Sequence, residues 1–413
     1  MRKKTIHIIL LLFITCVAAW ALPALVKKAT RVPERYPFIY YSSLLRELCI
    51  IDYGDDETPL STLSGEKFSE AQFDSLLPLL NFRQLMADGH LPDSIDGIEI
   101  TPPLLRSKSV VFRHNPVDTR TPRPRLHVLF ESMPRRVGIE MPGDVFRLED
   151  RLEFIDCETN RVDVEKSTRF QQALERRGYR FPARWSSGNP NPRKAYDEGY
   201  FSLDASGRLF HLKMVNGKPY VRDTRVSERV EVDAFSVFEA ADKRFYGFLF
   251  GKQGDIYILE ARDGGYHPLK LDIEPFDARR DRLVIMGNLL YWNVSVTTTA
   301  GRDYYALRTS TLERVASHHA AHAPGPWERL SRWTFPFYLT FDDPDSAYVY
   351  PRLHFTGWRG GIVHLLLALA TGFLVPNNRR RRLYHSSYIL ITGVAGLLAL
   401  LALPRFITKN PIK

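Results

Sequence analysis

Cysteine is scarce in this chain: Cys16, Cys49 and Cys157 are the only three in 413 residues. Three are too few for a disulfide scaffold, so an apolar core must hold the fold. Cys16 lies inside an apolar run, whereas Cys49 and Cys157 either pair or remain as buried free thiols, and spacing alone does not decide between them. The short motifs of common enzymes are missing too. There is no G-x-S-x-G elbow, no Walker sequence and no H-E-x-x-H pair, so nothing marks a nucleophile, a site for ATP hydrolysis or a zinc protease. Ser64-Gly-Glu-Lys67 fits S-x-x-K but lacks its S-D-N and K-T-G companions, and reads as a polar lead-in to a helix. Gly251-Lys-Gln-Gly254 lacks the hydroxyl that holds magnesium in a phosphate loop, and reads as a turn. The formal net charge is +10, but much of it flanks apolar segments, with no zinc spacing and no long basic helix. A nucleic-acid partner is therefore not expected. No catalytic residue and no cofactor is assigned.

Long runs without charge are what the chain does have. Thr5–Val26 follows a basic start of Arg2, Lys3 and Lys4, and Gly360–Pro376 and Ser386–Pro404 are joined by a segment containing Arg379, Arg380, Arg381 and Arg382. At about 1.5 Å per residue such runs suit a hydrocarbon core of about 30 Å, which predicts three transmembrane helices. Positive residues stay in the cytoplasm, so the expected topology is N-terminus inside, Lys27–Arg359 outside, an inward hairpin turn and a short outer tail. That makes a multi-pass inner-membrane protein with a large periplasmic region. The first run is either a retained anchor or a cleaved signal ending near Ala19-Trp-Ala21, and both place the large region outside. Gly393 and Gly396 either admit a close helix or reflect ordinary membrane composition. His364 is the one intramembrane polar residue singled out, and at its shallow depth it is expected to reach the interface beside Trp358 and Arg359.

Between the runs, periodicity changes along the chain. Pro37–Tyr41 favours strand, Ser69–Ala87 has helical spacing interrupted by Pro78, and Ser167–Gly178 predicts a second helix. Asp118–Arg125 reads as a polar loop. Beyond the Asn-Pro pairs of Ser186–Arg193, hairpins recur around Asn216-Gly217, Asp263-Gly264-Gly265 and Thr309-Ser-Thr311, with an earlier one around Glu158-Thr-Asn160. From Leu152 through Leu209, Ile256 and Tyr304 the separations are 57, 47 and 48 residues, close to the length of a propeller blade. The expected fold is mainly β (α+β), built of antiparallel hairpins as a propeller-like or curved sheet, with a small helical N-terminal part. A plain stack of hairpins fits the pattern as well. The organisation is an anchor over 1–28, an extracytoplasmic α+β region over 29–185, a hairpin-repeat region over 186–357 and a membrane hairpin over 358–413.

Few side-chain groups suggest chemistry. His318, His319 and His322 would meet on one helix face and form a weak metal candidate, although Pro324-Gly-Pro326 favours a polar linker. Asp342-Asp-Pro-Asp345 lacks the alternation of a calcium loop and reads as a turn. Asp197, Glu198 and Asp204 surround Tyr200-Phe201 near Arg176, Arg177, Arg180 and Arg184, a set that suits a polar ligand or ordinary surface ion pairs.

Several stretches resemble a known family: Phe73–Leu80, Phe82–Leu85, Ala87–Ser94, Glu131–Met133, Glu140–Arg147, Phe181–Arg184, Lys194–Tyr200, Arg208–Lys213 and Pro219–Arg222. Together they look like an uncharacterised family of bacterial membrane proteins, known as a domain of unknown function and encoded beside ABC-transporter components. The resemblance implies a Gram-negative host and a role as a non-enzymatic membrane subunit or accessory of an ABC system, with a permease and an ATPase as partners. It carries no catalytic residues. A membrane-tethered envelope hydrolase and a ligand sensor are the alternatives, and the oligomeric state is open.

Overall fold

The structure is a computed structural model, and it describes residues 2–30, 36–52, 59–120, 126–136, 138–341, 348–374 and 379–403. Chain order runs from helix α1 (Arg2–Thr30) into sheet I, a meander of β1 (Phe38–Ser42), β2 (Glu47–Ile51), β3 (Leu60–Thr62) and β4 (Lys67–Phe68). Next come α2 (Glu70–Leu76), α3 (Phe82–Ala87), a small hairpin of β5 (Ser94–Ile95) and β6 (Ile98–Glu99), α4 (Pro102–Ser107), the lone strand β7 (Val110–His114) and α5 (Pro116–Arg120). Sheet II holds β8 (Leu126–His127), β9 (Asp144–Leu148), β10 (Leu152–Asp156) and β11 (Val162–Asp163), and α6 (Val164–Arg176) follows. Sheet III holds β12 (Trp185–Gly188), β13 (Tyr200–Leu203), β14 (Leu209–Val215) and β15 (Lys218–Asp223). Sheet IV holds β16 (Val232–Val237), β17 (Phe245–Gly251), β18 (Ile256–Arg262) and β19 (Gly265–Lys270). Sheet V holds β20 (Arg282–Gly287), β21 (Tyr291–Thr297), β22 (Gly301–Arg308) and β23 (Arg314–Ala321), with β7 added beside β20. The chain then forms α7 (Pro326–Thr334), the hairpin β24 (Phe337–Thr340) and β25 (Arg352–Phe355), α8 (Arg359–Leu374) and α9 (Arg379–Ala402).

Local chemistry explains the repeats. Asn216 and Gly217 have φ of +50° and +72°, and Asp263 and Gly264 have +52° and +64°. Two successive positive φ values twist a two-residue turn in the same sense as the strands it joins. The four predicted hairpins are therefore the last two strands of sheets II to V, and a further antiparallel pair precedes each. Around Pro78, α2 and α3 are separate helices, because proline cannot donate to the ladder. Asp163 accepts from the Lys166 amide at 2.9 Å and starts α6.

Two compact units result, 1–35 with 322–413, and 36–321. Residues 186–188 belong to β12 and so lie inside the second unit. In it the sheets pack face to face in the order II, III, IV, V, I. Phe146 and Phe154 of sheet II meet Tyr200 and Phe210 of sheet III, and Phe201 and Leu209 of sheet III meet Phe235 and Leu249 of sheet IV. Phe248 and Ile258 of sheet IV meet Leu283 and Trp292 of sheet V. Tyr41 of sheet I lies 4.6 Å from Tyr291 of sheet V, ring centre to ring centre, and its amide donates to Asn293 Oδ1 at 2.7 Å. Among the described residues no apolar cluster joins sheet I to sheet II, so the sheets form an arc rather than a closed ring.

In the first unit, two helices are long and apolar enough to cross a membrane, over Thr5–Thr30 and Arg379–Ala402, where three were expected. Among the described residues the middle run gives α8, whose 16 residues extend about 24 Å. The four arginines Arg379–Arg382 form the first turn of α9 instead of the connecting turn. Arg405, Lys409, Lys413, Asp342–Asp345 and Arg31–Pro33 lie outside the described residues. Asp118–Arg120, read as loop, belongs to α5. Cys49 and Cys157 are both unbonded, with Cys49 buried on β2, where burial pushes its thiol up to about 12, and Cys157 exposed.

Strand β7 makes the longest-range strand pairing among the described sheets, with β20. Its Phe112 stacks on Phe248 with ring centres 3.9 Å apart inside the sheet IV–V core. Replacing Phe112 with Ala should cost about 3–5 kcal/mol. Thermal unfolding of the full chain in detergent checks this; a loss below about 1 kcal/mol would mean that β7 contributes little to the packed core.

Candidate functional site

The charged residues around Tyr200-Phe201 separate into a buried cluster and exposed grooves. Tyr200 and Phe201 are successive residues of β13 and face opposite sides, Tyr200 into the sheet II–III core and Phe201 into the sheet III–IV core. Beside them, the loop after β12 turns Lys194 inward. Its ammonium, 5% exposed, donates to Asp197 Oδ1 at 2.5 Å, Glu239 Oε1 at 2.8 Å and the Asn189 carbonyl at 2.8 Å, and lies 5.0 Å from the Phe130 ring centre. Ser132 Oγ donates to Asp197 Oδ2 at 2.6 Å, while Asn189 Nδ2 and the Glu198 amide donate to Glu239 at 2.7 and 2.9 Å. Burial pushes the Glu239 carboxyl above its usual range, against the pull of Lys194. Every member is satisfied within the protein. The cluster is a fastening between sheets and offers no open valence to a ligand.

His211 of β14 continues this network. Its Nε2 contacts the Glu198 carbonyl at 2.6 Å and its Nδ1 contacts Tyr266 Oη at 2.7 Å. A carbonyl only accepts, so Nε2 carries the proton and Nδ1 accepts from the Tyr266 hydroxyl. The ring stacks on Phe201 at 4.1 Å. Burial, with Lys213 nearby, lowers its pKa from 6.5 to about 3. Asp204 is spent as well: it accepts from the Arg180 and Arg208 amides and pairs with the Arg208 guanidinium at 3.0 Å.

What remains open is cationic. Arg176 and Arg177, at the end of α6, line a groove of about 450 Å³ with Pro219, Tyr220 and Arg222 of β15. None of its lining residues is acidic. Arg222 donates to the Gly264 carbonyl at 2.5 Å and sits 5.3 Å from the Tyr266 ring centre, which holds its guanidinium in place. Such a groove can hold an anionic group through arginine forks. A larger cleft, about 700 Å³, lies among the loops of sheets IV and V, and the Gly251–Gly254 turn lines it. Its cations are balanced internally, with Arg279 on Asp233 at 3.2 Å and Arg280 on Asp281 at 2.9 Å. Arg184 lines a third, smaller groove with Arg208 and Arg225. Tyr220 and Arg222 were not singled out in the sequence, where they stand more than forty residues from the α6 arginines; the Arg-after-Tyr-Val pattern opposite an Asn-Gly turn was the available signal.

The histidine trio does not converge. His318 and His319 lie on β23, where neighbours face opposite ways, not on a helix or a linker. His319 Nδ1 meets Asp303 Oδ1 at 2.7 Å, and His322 Nε2 meets Glu328 Oε2 at 2.8 Å. Among the described residues no three metal-binding side chains gather. Arg2, Lys3 and Lys4 begin α1, and Arg379–Arg382 are exposed. His364 does not reach outward: it is buried, and its Nδ1 lies 3.3 Å from the Leu390 carbonyl, beside Gly393. Gly393 has φ of +60° and kinks α9, and a Cβ there would overlap the His364 ring. The glycine thus admits the imidazole, which meets a carbonyl at the interrupted ladder.

Two measurements follow from the buried network. Replacing Lys194 with Met should cost about 3–5 kcal/mol by stranding two buried carboxylates, and adding Asp197→Asn and Glu239→Gln should recover most of it. Detergent-solubilised full chain reports both as melting shifts, and equal losses in single and triple variants would contradict the charge argument. For His211, the unfolded ring takes a proton near 6.5 but the folded ring only near about 3. The unfolded state therefore binds more protons in that window, and stability falls as pH drops through it. His211→Gln should flatten this part of the melting-versus-pH curve; an unchanged slope would place the titration elsewhere.

No curated protein matches the chain. Among solved structures, it is similar to the β-propeller domain of Cps50 (Swd1) from Myceliophteria thermophila at 13% identity and TM-score 0.27, over 50% of this chain and 59% of that one. PorZ, an essential bacterial surface component of the type-IX secretion system of Porphyromonas gingivalis, gives 11% and 0.22, over 70% and 32%. BamB from Moraxella catarrhalis gives 11% and 0.19, over 60% and 91%. The chain thus spans under two thirds of the first two, and at these scores the likenesses carry no functional weight. The pattern of a family described as a domain of unknown function, DUF4857, matches residues 38–307, which begin with β1 and reach into β22, and the chain belongs to that family.

Proposed function

We propose that this protein is a non-enzymatic, membrane-anchored subunit or accessory of an ABC transport system, whose β-sheet arc binds a partner or ligand outside the cytoplasm. One observation carries the reading: the two ends of the chain meet in a single helical unit. Leu11 of α1 is buried with Ala368, Ile389, Ala399 and Leu400 of α8 and α9, and Thr15 Oγ1 meets Tyr388 Oη at 2.6 Å. Ser386 Oγ donates to the Ala368 carbonyl at 2.9 Å and joins α8 to α9. A first helix fastened in this way suits a retained anchor better than a leader removed by cleavage. Outward from these contacts, Leu390, Ile391, Leu398 and Leu401 of α9 are exposed, an apolar face for lipid or for the helices of a permease.

In this reading the basic starts of α1 and α9 both lie in the cytoplasm of a Gram-negative cell, and the sheets lie in the periplasm. The chain then returns inward along α8. The arginine groove of α6 and β15 is the place in the arc where an anionic ligand or partner group fits.

The test is purification of the tagged protein at native level in mild detergent, with co-purifying proteins identified by mass spectrometry. A permease and an ATPase in stoichiometric amount are the expected result. Clean isolation of the chain without either would overturn the transport reading. In the same preparation, Arg176→Glu with Arg222→Glu should lower capture of a groove-bound partner by about tenfold or more, since two charge-assisted contacts are lost.

A further inference from the structure

Beside the membrane helices, the segment from α7 to the start of α8 buries Phe335 but leaves a series of large apolar side chains outside and several polar ones inside. In α7, Ser331 is buried while Leu330 and Trp333 face outward beside Arg329 and Arg332. In the β24–β25 hairpin, the polar pair is turned inward: His354 stacks on Tyr338 at 5.0 Å and its Nε2 meets Thr340 Oγ1 at 2.7 Å. Leu353 and Phe355, the alternate residues of β25, face outward, and Phe355 is 77% exposed. Trp358, just before α8, is 76% exposed. In water such an arrangement is unfavourable, because each large apolar side chain left exposed forgoes the gain of burial. The pattern makes sense against a surface that is apolar on one side and wet on the other.

The depth of the segment identifies that surface. Phe341, at the end of β24, packs edge-on against Trp20 of α1 at 5.5 Å, and Trp20 precedes Lys27 by seven residues, about 10 Å along the helix. Phe337 packs against His364 at 5.9 Å, five residues past Arg359, about 7 Å into α8. Two helices thus place the hairpin alongside their apolar bodies, one to two turns inside the charges that end them. Arg359 sits at the rim, 5.8 Å from the Trp333 ring centre, while Arg352, 3.8 Å from the Tyr350 ring centre, has its Nε and Nη1 buried on the inward face of β25. Trp, Tyr and Arg at this level are the composition of a membrane–water boundary.

We infer that α7 and the β24–β25 hairpin form an aromatic collar seated in the headgroup–acyl boundary of the bilayer, at the end where α8 begins. The collar widens the apolar belt around the start of α8. This rests on the reading that α1 and α9 lie in a membrane, and the experiment separates the two claims. In the full chain with Cys16→Ser and Cys157→Ser, single spin labels at Phe355→Cys and Trp358→Cys are compared in phosphatidylethanolamine–phosphatidylglycerol vesicles with labels at Ile391→Cys, on the exposed face of α9, and Val164→Cys, exposed at the start of α6. The collar labels should collide several-fold more with oxygen than with a water-soluble nickel chelate, at a depth shallower than Ile391. Collar labels that meet the chelate as freely as Val164, while Ile391 still prefers oxygen, would overturn the collar and leave the membrane reading standing. Labels shielded from both reagents would show a protein covering the face and would overturn it too. An Ile391 label open to the chelate would sink both claims.

Discussion

A buried ammonium fixes the geometry on which the middle of the β region depends. Lys194 stands between Asp197, in its own loop, and Glu239, just beyond β16, while Ser132 and Phe130 reach the same point from the segment before β9. Residues from the neighbourhoods of sheets II, III and IV therefore converge on one positive charge. Apolar packing between sheets is non-directional, and faces that match in volume can slide. A charge with three oxygen partners at hydrogen-bond distance cannot slide without leaving a carboxylate stranded, so it sets the register of one sheet on the next. His211 works similarly, tying the loop at Glu198 to Tyr266 of sheet IV through a neutral ring. These directional contacts take up the acidic side chains next to Tyr200, and the arginines of α6 are left facing outward.

How much of this was legible depended on the range of the interaction. The hairpins at Asn216-Gly217 and Asp263-Gly264 were readable because positive φ is a property of two adjacent residues, and composition reports it directly. The break at Pro78 was readable for the same reason. Strand β7 was not: Val110–His114 has an ordinary alternating pattern, but its partner is Leu283–Gly287, some 170 residues away, and no local feature names that partner. The histidines at 318, 319 and 322 misled because helical spacing was assumed where the ladder with Tyr304 and Asp303 makes a strand. The arginine groove was half visible. Arg176 and Arg177 stood out as a basic pair, while Arg222 joins them only because β15 packs against α6.

The helical unit of α1, α8 and α9 shows a different limit. Hydropathy finds apolar runs but does not register how they pack. Nor does it register what a polar residue within a run does. His364 was expected to reach the interface, yet it meets the Leu390 carbonyl beside the kink at Gly393. In hydrocarbon a free carbonyl is expensive, because no water is present to satisfy it. A kink in α9 and a histidine in α8 are therefore one feature seen from two helices, each unfavourable without the other.

The same reasoning applies to residues 326–358. In a water-soluble hairpin an exposed Phe355 and an exposed Trp358 would each be a defect, and a defect repeated on α7, β25 and the lead into α8 is a pattern. Aromatic side chains with Arg359 at their rim satisfy two solvents at once, one at the ring face and one at the guanidinium. At the start of α8 the exposed rings of α7, β25 and Trp358 surround the same end of one apolar helix, and an arrangement that is odd in water is accounted for once that end is taken to be the edge of a membrane.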